Sequence, residues 1–93
     1  MSDVRQNTAE NRFDILLDGE VVGSTYYEIV GNNIVFTHTE VDTNREEHGL
    51  GSQLVQAALD QVRDDTTYRV VARCPFVAHW LTKNPDYQGL LNR

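Results

Sequence analysis

Two glycines one residue apart, Gly49 and Gly51, stand between a strand-like run and an amphipathic stretch. A turn of this kind lacks Cβ atoms and offers backbone N–H groups, with the positive end of a helix dipole, to an anion. The predicted ligand is therefore a phosphorylated molecule. No Lys-Ser or Lys-Thr pair follows the glycines, and Leu54 breaks the dinucleotide pattern Gly-x-Gly-x-x-Gly. A tight turn without a ligand is the alternative interpretation.

Two side chains of the preceding strand-like run, His38 and Glu40, can accept or donate protons. Histidine is a side-chain type that can act as a base at physiological pH, so His38 is a candidate general base. Glu40 is a second candidate, either as a base itself or as the group that orients His38. The structural alternatives are a hydrogen-bonded strand histidine and a solvated cross-strand charge. Alternation along a strand predicts that both side chains share one face with Phe36.

The elements that position these residues begin with three predicted strands. Residues 1–10 are expected to be a frayed, flexible start. The predicted strands cover 12–17, 20–30 and 34–41. Asp18-Gly19 joins the first two because a type I′ turn needs positive φ at both central residues. Gly23 is a candidate bulge inside the second strand. The three strands should form an antiparallel meander.

The second half of the chain predicts a helix, a strand and another helix. From Gly51 to about Arg63 the apolar residues fall on one helical stripe. A fourth strand over 68–72 then lies parallel to the third, since a helix connects the two. A short helix over 76–82 follows, and residues 86–91 add a last turn. The fold class is α+β, in one small domain.

Composition excludes several classes of function. The chain has 93 residues and a net charge of −6, which disfavours nucleic acid and anionic membrane surfaces as partners. Cys74 is the sole cysteine, so no intrachain disulfide forms, and no zinc-ligand spacing surrounds it. No leader-like segment or run of about 18 apolar residues is present. A soluble cytoplasmic protein is expected, with no metal.

Four segments together resemble the GNAT N-acetyltransferase superfamily, and most closely a small single-domain subgroup of it. The resemblance covers roughly residues 12–91. The segments are His38-Thr39-Glu40-Val41, Gly49-Leu50-Gly51-Ser52-Gln53-Leu54-Val55, Cys74-Pro75-Phe76 and Pro85-Asp86-Tyr87. The implied fold is a truncated acetyltransferase domain without the two early helices and the last two strands of larger members.

The resemblance implies acetyl-coenzyme A as acetyl donor and an amine as acceptor, possibly a peptide or a polyamine. It places the pyrophosphate of the cofactor on the loop and helix start, and the pantetheine arm on the main chain near Thr39 and Val41, with Phe76 nearby. The implied pyrophosphate residues are Glu46, Glu47, His48, Gly49, Leu50, Gly51 and Ser52.

The same resemblance puts Cys74 near the acetyl thioester, as proton donor to the leaving thiolate or as a transient acetyl acceptor. The structural alternative is a small buried residue. Tyr87 is a weaker candidate acid. Two rival functions stay open: a non-catalytic module that binds an acyl-coenzyme A, and an interaction domain without a ligand, for which Glu46-Glu47 is the motivating feature.

Overall fold

The computed structural model describes residues 2–42 and 49–93. Its elements are five strands, two α-helices and one 3₁₀ helix, and they follow one another along the chain as β1 (Ser2–Asn7), β2 (Arg12–Leu17), β3 (Glu20–Val30), β4 (Asn33–Val41), α1 (Leu50–Asp65), β5 (Arg69–Ala72), α2 (Pro75–Lys83) and the 3₁₀ helix (Pro85–Asn92).

The strands form one mixed sheet in the order of the chain. Strands β1 to β4 pair antiparallel with their neighbours, and β5 pairs parallel with β4. Helix α1 is the connection between those last two strands, as a parallel pair requires. The predicted meander, crossover helix, parallel strand and C-terminal helix are therefore confirmed, under different numbers because of β1.

Strand β1 was not predicted, because the sequence analysis expected residues 1–10 to be a frayed start. It pairs with β2 along its whole length. Val4 packs against the core, and the Gln6 side chain donates to the Tyr27 hydroxyl at 2.9 Å. One apolar residue among polar ones left the periodicity too weak to detect, although the neighbouring strand supplies most of the hydrogen bonds.

The core lies between the sheet and the helices. Helix α1 buries one stripe, which includes Leu54, Ala58 and Leu59. Helix α2 and the 3₁₀ helix are tied to α1 by two side-chain hydrogen bonds. Trp80 Nε1 donates to Ser52 Oγ at 2.9 Å, and the Tyr87 hydroxyl donates to Asp60 at 2.6 Å.

Two β-bulges decide which side chains face the helices. Ile15 pairs with Gly23 and Leu16 with Val21, so Val22 is the extra residue beside the glycine that predicted a bulge. The second bulge was not predicted. Tyr26 pairs with His38 and Tyr27 with Phe36, which leaves Thr37 as the extra residue of β4.

The bulge at Thr37 corrects the predicted faces of β4. Phe36 lies in the core, but the extra residue reverses the alternation that follows it. His38 and Glu40 therefore share a face with each other and not with Phe36. His38 stacks on Tyr26, with 6.0 Å between the ring centroids. Among the described residues, no helix is both long and apolar enough to cross a membrane.

Arg93 ties the end of the chain to the end of α1. Its guanidinium donates to the carbonyl oxygens of Arg63 at 2.8 Å and Thr66 at 2.7 Å, and more weakly to two others. The last carbonyls of a helix lack intrahelical partners. A cation at this end also interacts favourably with the helix dipole.

We predict that Arg93→Ala lowers the free energy of unfolding by about 1–2 kcal/mol, because several carbonyl groups lose a charged donor together. Urea denaturation followed by circular dichroism measures the loss. Arg5→Ala is the control, since the exposed Asp3 is the one ion-pair partner of Arg5 among the described residues and exposed pairs contribute little. Equal stability of the two variants would contradict the prediction.

Candidate functional site

Strands β4 and β5 separate after Phe36, and the backbone of Phe36 shows why. Its pairing with Ala72 is the last of the ladder. Its carbonyl then accepts from the N–H of both Arg73, at 3.0 Å, and Cys74, at 2.9 Å. The next residue, Pro75, has no N–H to continue the ladder and begins α2. One carbonyl therefore ends the sheet on this side and fixes Cys74 at its end.

The remainder of β4 keeps a backbone edge beyond the end of β5. Asp42 N–H donates to the Val22 carbonyl at 2.7 Å, so Asp42 faces β3. Backbone groups alternate between the two edges of a strand. Thr39 and Val41 therefore direct their N–H and C=O groups to the other edge, where no strand of the described residues pairs with them.

Cys74 lies at one end of a short chain of hydroxyl groups. Its Sγ is 3.3 Å from Thr39 Oγ1, which is 2.9 Å from Thr25 Oγ1. Thr25 is fully buried, and its hydroxyl donates to the His38 carbonyl at 3.5 Å. Either atom of the Thr25–Thr39 pair and of the Thr39–Cys74 pair can donate. The chain therefore links the thiol to the buried Thr25 hydroxyl through Thr39.

An open groove of about 770 Å³ runs beside this chain, at the end of the sheet. Glu40 and Asp42 contribute its charge, and Phe76 closes one side. Its lining residues come from the start of β3, the end of β4 and the start of α2, namely Val21, Val22, Gly23, Ser24, Thr39, Glu40, Val41, Asp42 and Phe76. The groove thus extends from the edge of β4 that β5 does not cover to Phe76 at the start of α2.

The predicted catalytic residues fall into two groups on opposite faces of β4. Thr39 contacts Cys74, so its neighbours His38 and Glu40 point to the other face. His38 Nε2 and Glu40 Oε1 are 3.0 Å apart, and their side chains are 58% and 65% exposed. Glu40 lines the groove and His38 does not. Cys74, by contrast, is only 3% exposed.

Gly49 precedes α1 in a left-handed backbone conformation, which glycine adopts readily because it has no Cβ. Its φ of +80° lies in the left-handed region, and a Cβ there would meet no atom within 4 Å. Its carbonyl accepts from Gln53 N–H, so the first N–H groups of α1 have no intrahelical partner. No side chain of the described residues caps them. This end of α1 has the properties of an anion site.

Gly51, whose binding of the cofactor stays a prediction, lies against an aromatic ring. A Cβ at this position would lie 2.5 Å from Cζ of Phe76. The ring therefore occupies the place of that Cβ. Gly51 is buried beneath that ring, while Phe76 itself is 43% exposed. The missing Cβ brings the first turn of α1 and the first turn of α2 into contact.

Three of the predicted cofactor residues, Glu46, Glu47 and His48, lie outside the described residues. Leu50 is buried in the core and Ser52 accepts from Trp80. The Tyr87 hydroxyl donates to Asp60 on α1. Its hydrogen bond to Asp60, together with burial, raises the pKa of the Tyr87 hydroxyl above its ordinary value, and the bond fixes the ring on α1.

The comparison with protein families identifies the class. Residues 12–90 match the model of a family described as GCN5-related N-acetyl-transferase. The chain therefore belongs to this family of N-acetyltransferases, and its family membership points to acyl transfer. No curated protein matches the chain closely enough to serve as a relative.

Sequence reasoning did not identify Thr25, which completes the hydroxyl chain behind Cys74. It lies in a strand rich in Val, Tyr and Thr, where threonine is common for reasons of strand propensity. Only the pairing of Thr25 with Thr39 across β3 and β4 distinguishes it. A polar residue on the core face would have been a usable signal once the register was known.

We predict that Gly51→Ala displaces the Phe76 ring, because the new Cβ and the ring cannot occupy the same space. Nuclear Overhauser contacts between the Phe76 ring and residue 51 should be lost. The cost in unfolding free energy should be about 1 kcal/mol, since an exposed ring can move.

In a Phe76→Ala background the same substitution should cost nothing or stabilise the helix. Gly89→Ala is the control, because its Cβ would meet nothing within 4 Å. Equal costs of Gly51→Ala with and without Phe76 would reject the contact.

We also predict that Thr39→Val lowers the unfolding free energy by about 1–3 kcal/mol. Valine keeps the shape of the side chain but leaves the Thr25 hydroxyl and the Cys74 thiol without their shared partner. Denaturation with urea measures the loss. Thr39→Ser is the matched variant and should recover most of it, and identical stability of the Val and Ser variants would exclude the chain.

Proposed function

We propose that this protein binds acetyl-coenzyme A and transfers the acetyl group to an amine. The observation that carries the proposal is the separation of β4 from β5 at Phe36, which leaves a polar backbone edge beside Cys74 in a member of an acyl-transfer family. The pantetheine arm of coenzyme A is an uncharged chain with two amides. Thr39 and Val41 offer it alternate donors and acceptors along one strand edge.

The proposed position of the pyrophosphate is the start of α1. The N–H groups after Gly49 lack intrahelical partners, and they and the positive end of the helix dipole both favour an anion. Among the described residues, no atom lies within 4 Å of the place a Cβ of Gly49 would take, which leaves room for it. The described residues that line the groove include Glu40 and Asp42 and no cation, which favours a position for the diphosphate outside the groove, on the helix side.

Phe76 acts in this proposal as a wall for the cofactor. Its ring lies over Gly51 and also lines the groove. It therefore stands between the proposed diphosphate and pantetheine positions. An exposed aromatic ring gives an apolar surface for the alkyl part of such an arm.

In the proposed reaction, Cys74 acts on the leaving thiolate, and Glu40 with His38 acts on the amine. In the transfer, the amine nitrogen attacks the thioester carbon, the carbon–sulfur bond breaks, and the coenzyme A thiolate leaves. The Cys74 thiol, whose Sγ lies 3.3 Å from Thr39 Oγ1, gives its proton to that thiolate. Glu40 takes the proton from the amine, and His38 orients the Glu40 carboxylate. Exchange with water then restores both groups.

The acceptor in this proposal is a cationic amine such as a peptide lysine or a polyamine. A carboxylate in the groove attracts such a group, and the net charge of −6 increases its local concentration.

A non-catalytic acyl-coenzyme A module is the second candidate. Two observations on Cys74 favour it: the thiol is buried, and Cys74 does not line the groove, so the thiol has little direct access to a thioester bound there.

A titration and a transfer assay test the proposal together. Acetyl-coenzyme A should shift the backbone amide resonances of Thr39, Val41 and Gly49–Ser52 in a saturable way. With labelled acetyl-coenzyme A and a lysine peptide or spermidine, Cys74→Ala should transfer acetyl about 100-fold more slowly and still bind the cofactor.

His79→Ala is the control variant, since His79 is exposed on α2 and does not line the groove; its rate should equal that of the unmodified protein. Saturable binding without transfer would favour the binding module. No saturable shift would overturn both functions and leave an interaction domain.

A further inference from the structure

A second cavity lies at the other end of the sheet and has no part in the proposed transfer. Its volume is about 240 Å³. It is bounded by Thr8, Asn11, Gln61 and Tyr68, among others. Ile34 lines this cavity and Thr39 lines the groove. Five residues of extended strand separate the two, or about 16 Å.

Among the described residues, the lining of this cavity carries no formal charge. Every residue that forms it has an apolar, hydroxyl or amide side chain: Gln6, Thr8, Asn11, Phe13, Tyr27, Ile29, Ile34, Gln61, Val62, Thr66 and Tyr68. Charged residues make up 24% of the chain, so this composition distinguishes the cavity from the rest of the surface. A charged ligand would lose its hydration here without gaining a counter-ion.

The floor of the cavity is apolar and aromatic. Phe13, Ile34 and Val62 are buried there, and the ring of Phe13 lies 5.5 Å from that of Tyr27. Tyr68 supplies a third ring. Aromatic walls favour a planar apolar group in offset or edge-on contact.

One polar group at the floor has hydrogen-bonding capacity to spare. Tyr27 is 5% exposed, and its hydroxyl accepts from Gln6 Nε2 at 2.9 Å. Gln6 in turn accepts from Gln61 Nε2 at 2.6 Å. Within residues 2–42 and 49–93, the hydrogen of the Tyr27 hydroxyl has no acceptor. A hydroxyl can accept and donate at the same time, so this one can donate to a bound molecule while it accepts from Gln6.

We propose that this cavity binds a small, uncharged, planar molecule with a hydrogen-bond acceptor, which receives the Tyr27 hydroxyl hydrogen. A volume of about 240 Å³ equals about eight water molecules of liquid, so the ligand has the size of one substituted ring and not of a nucleotide. The site does not depend on acetyl-coenzyme A.

The test uses benzamide and benzoate, which share a ring and nearly a size but differ in charge. Benzamide should shift the backbone amide resonances of Gln6, Tyr27, Gln61 and Thr66 in a saturable way, whereas benzoate should not. Tyr27→Phe keeps the ring and removes the donor, and should weaken benzamide binding about tenfold.

Tyr26→Phe is the matched control. It makes the same chemical change one residue away, on the face of the sheet where Tyr26 stacks on His38, and should leave benzamide affinity unchanged. Thermal denaturation verifies that both variants are folded. The proposal is overturned if benzamide gives no saturable shift, if benzoate binds equally well, or if Tyr27→Phe binds benzamide as tightly as Tyr26→Phe does.

Discussion

The double hydrogen bond to the Phe36 carbonyl is the interaction on which the site depends. A carbonyl oxygen has two lone pairs, and here both are used by consecutive N–H groups, those of Arg73 and Cys74. The parallel ladder cannot extend past this point, so β5 turns away into α2. The same two bonds hold Cys74 against β4. The same pair of hydrogen bonds therefore both ends the parallel ladder, which opens the groove, and places the thiol.

The bulge at Thr37 then decides which side chain meets the thiol. Without an extra residue, His38 would follow Phe36 to the core face and Thr39 would face away from it. With it, Thr39 contacts Cys74, and His38 pairs with Glu40 on the opposite face. A single inserted residue thus separates the thiol from the carboxylate and gives the two groups different surroundings.

Gly49 and Gly51 illustrate how similar residues are required for different reasons. Gly49 is needed for its positive φ, and the space around it is open. Gly51 has an ordinary backbone conformation and is needed because an aromatic ring fills the place of its Cβ. This second glycine connects α1 to α2, the helix that begins beside the thiol.

Four motif segments indicated the family by resemblance. The sequence by itself also determined the order of elements from β2 onward, the hairpin at Asp18-Gly19 and the amphipathic stripe of α1. These depend on local φ preferences and on periodicities of about 2 and 3.6 residues, which are written in the chain. The tertiary structure alone decided the pairing of β1, the bulge at Thr37, the partner of Gly51 and the link from Thr25 to Cys74. Each of these joins residues distant in sequence, or depends on a register that only the neighbouring strand fixes, so no local pattern encodes it.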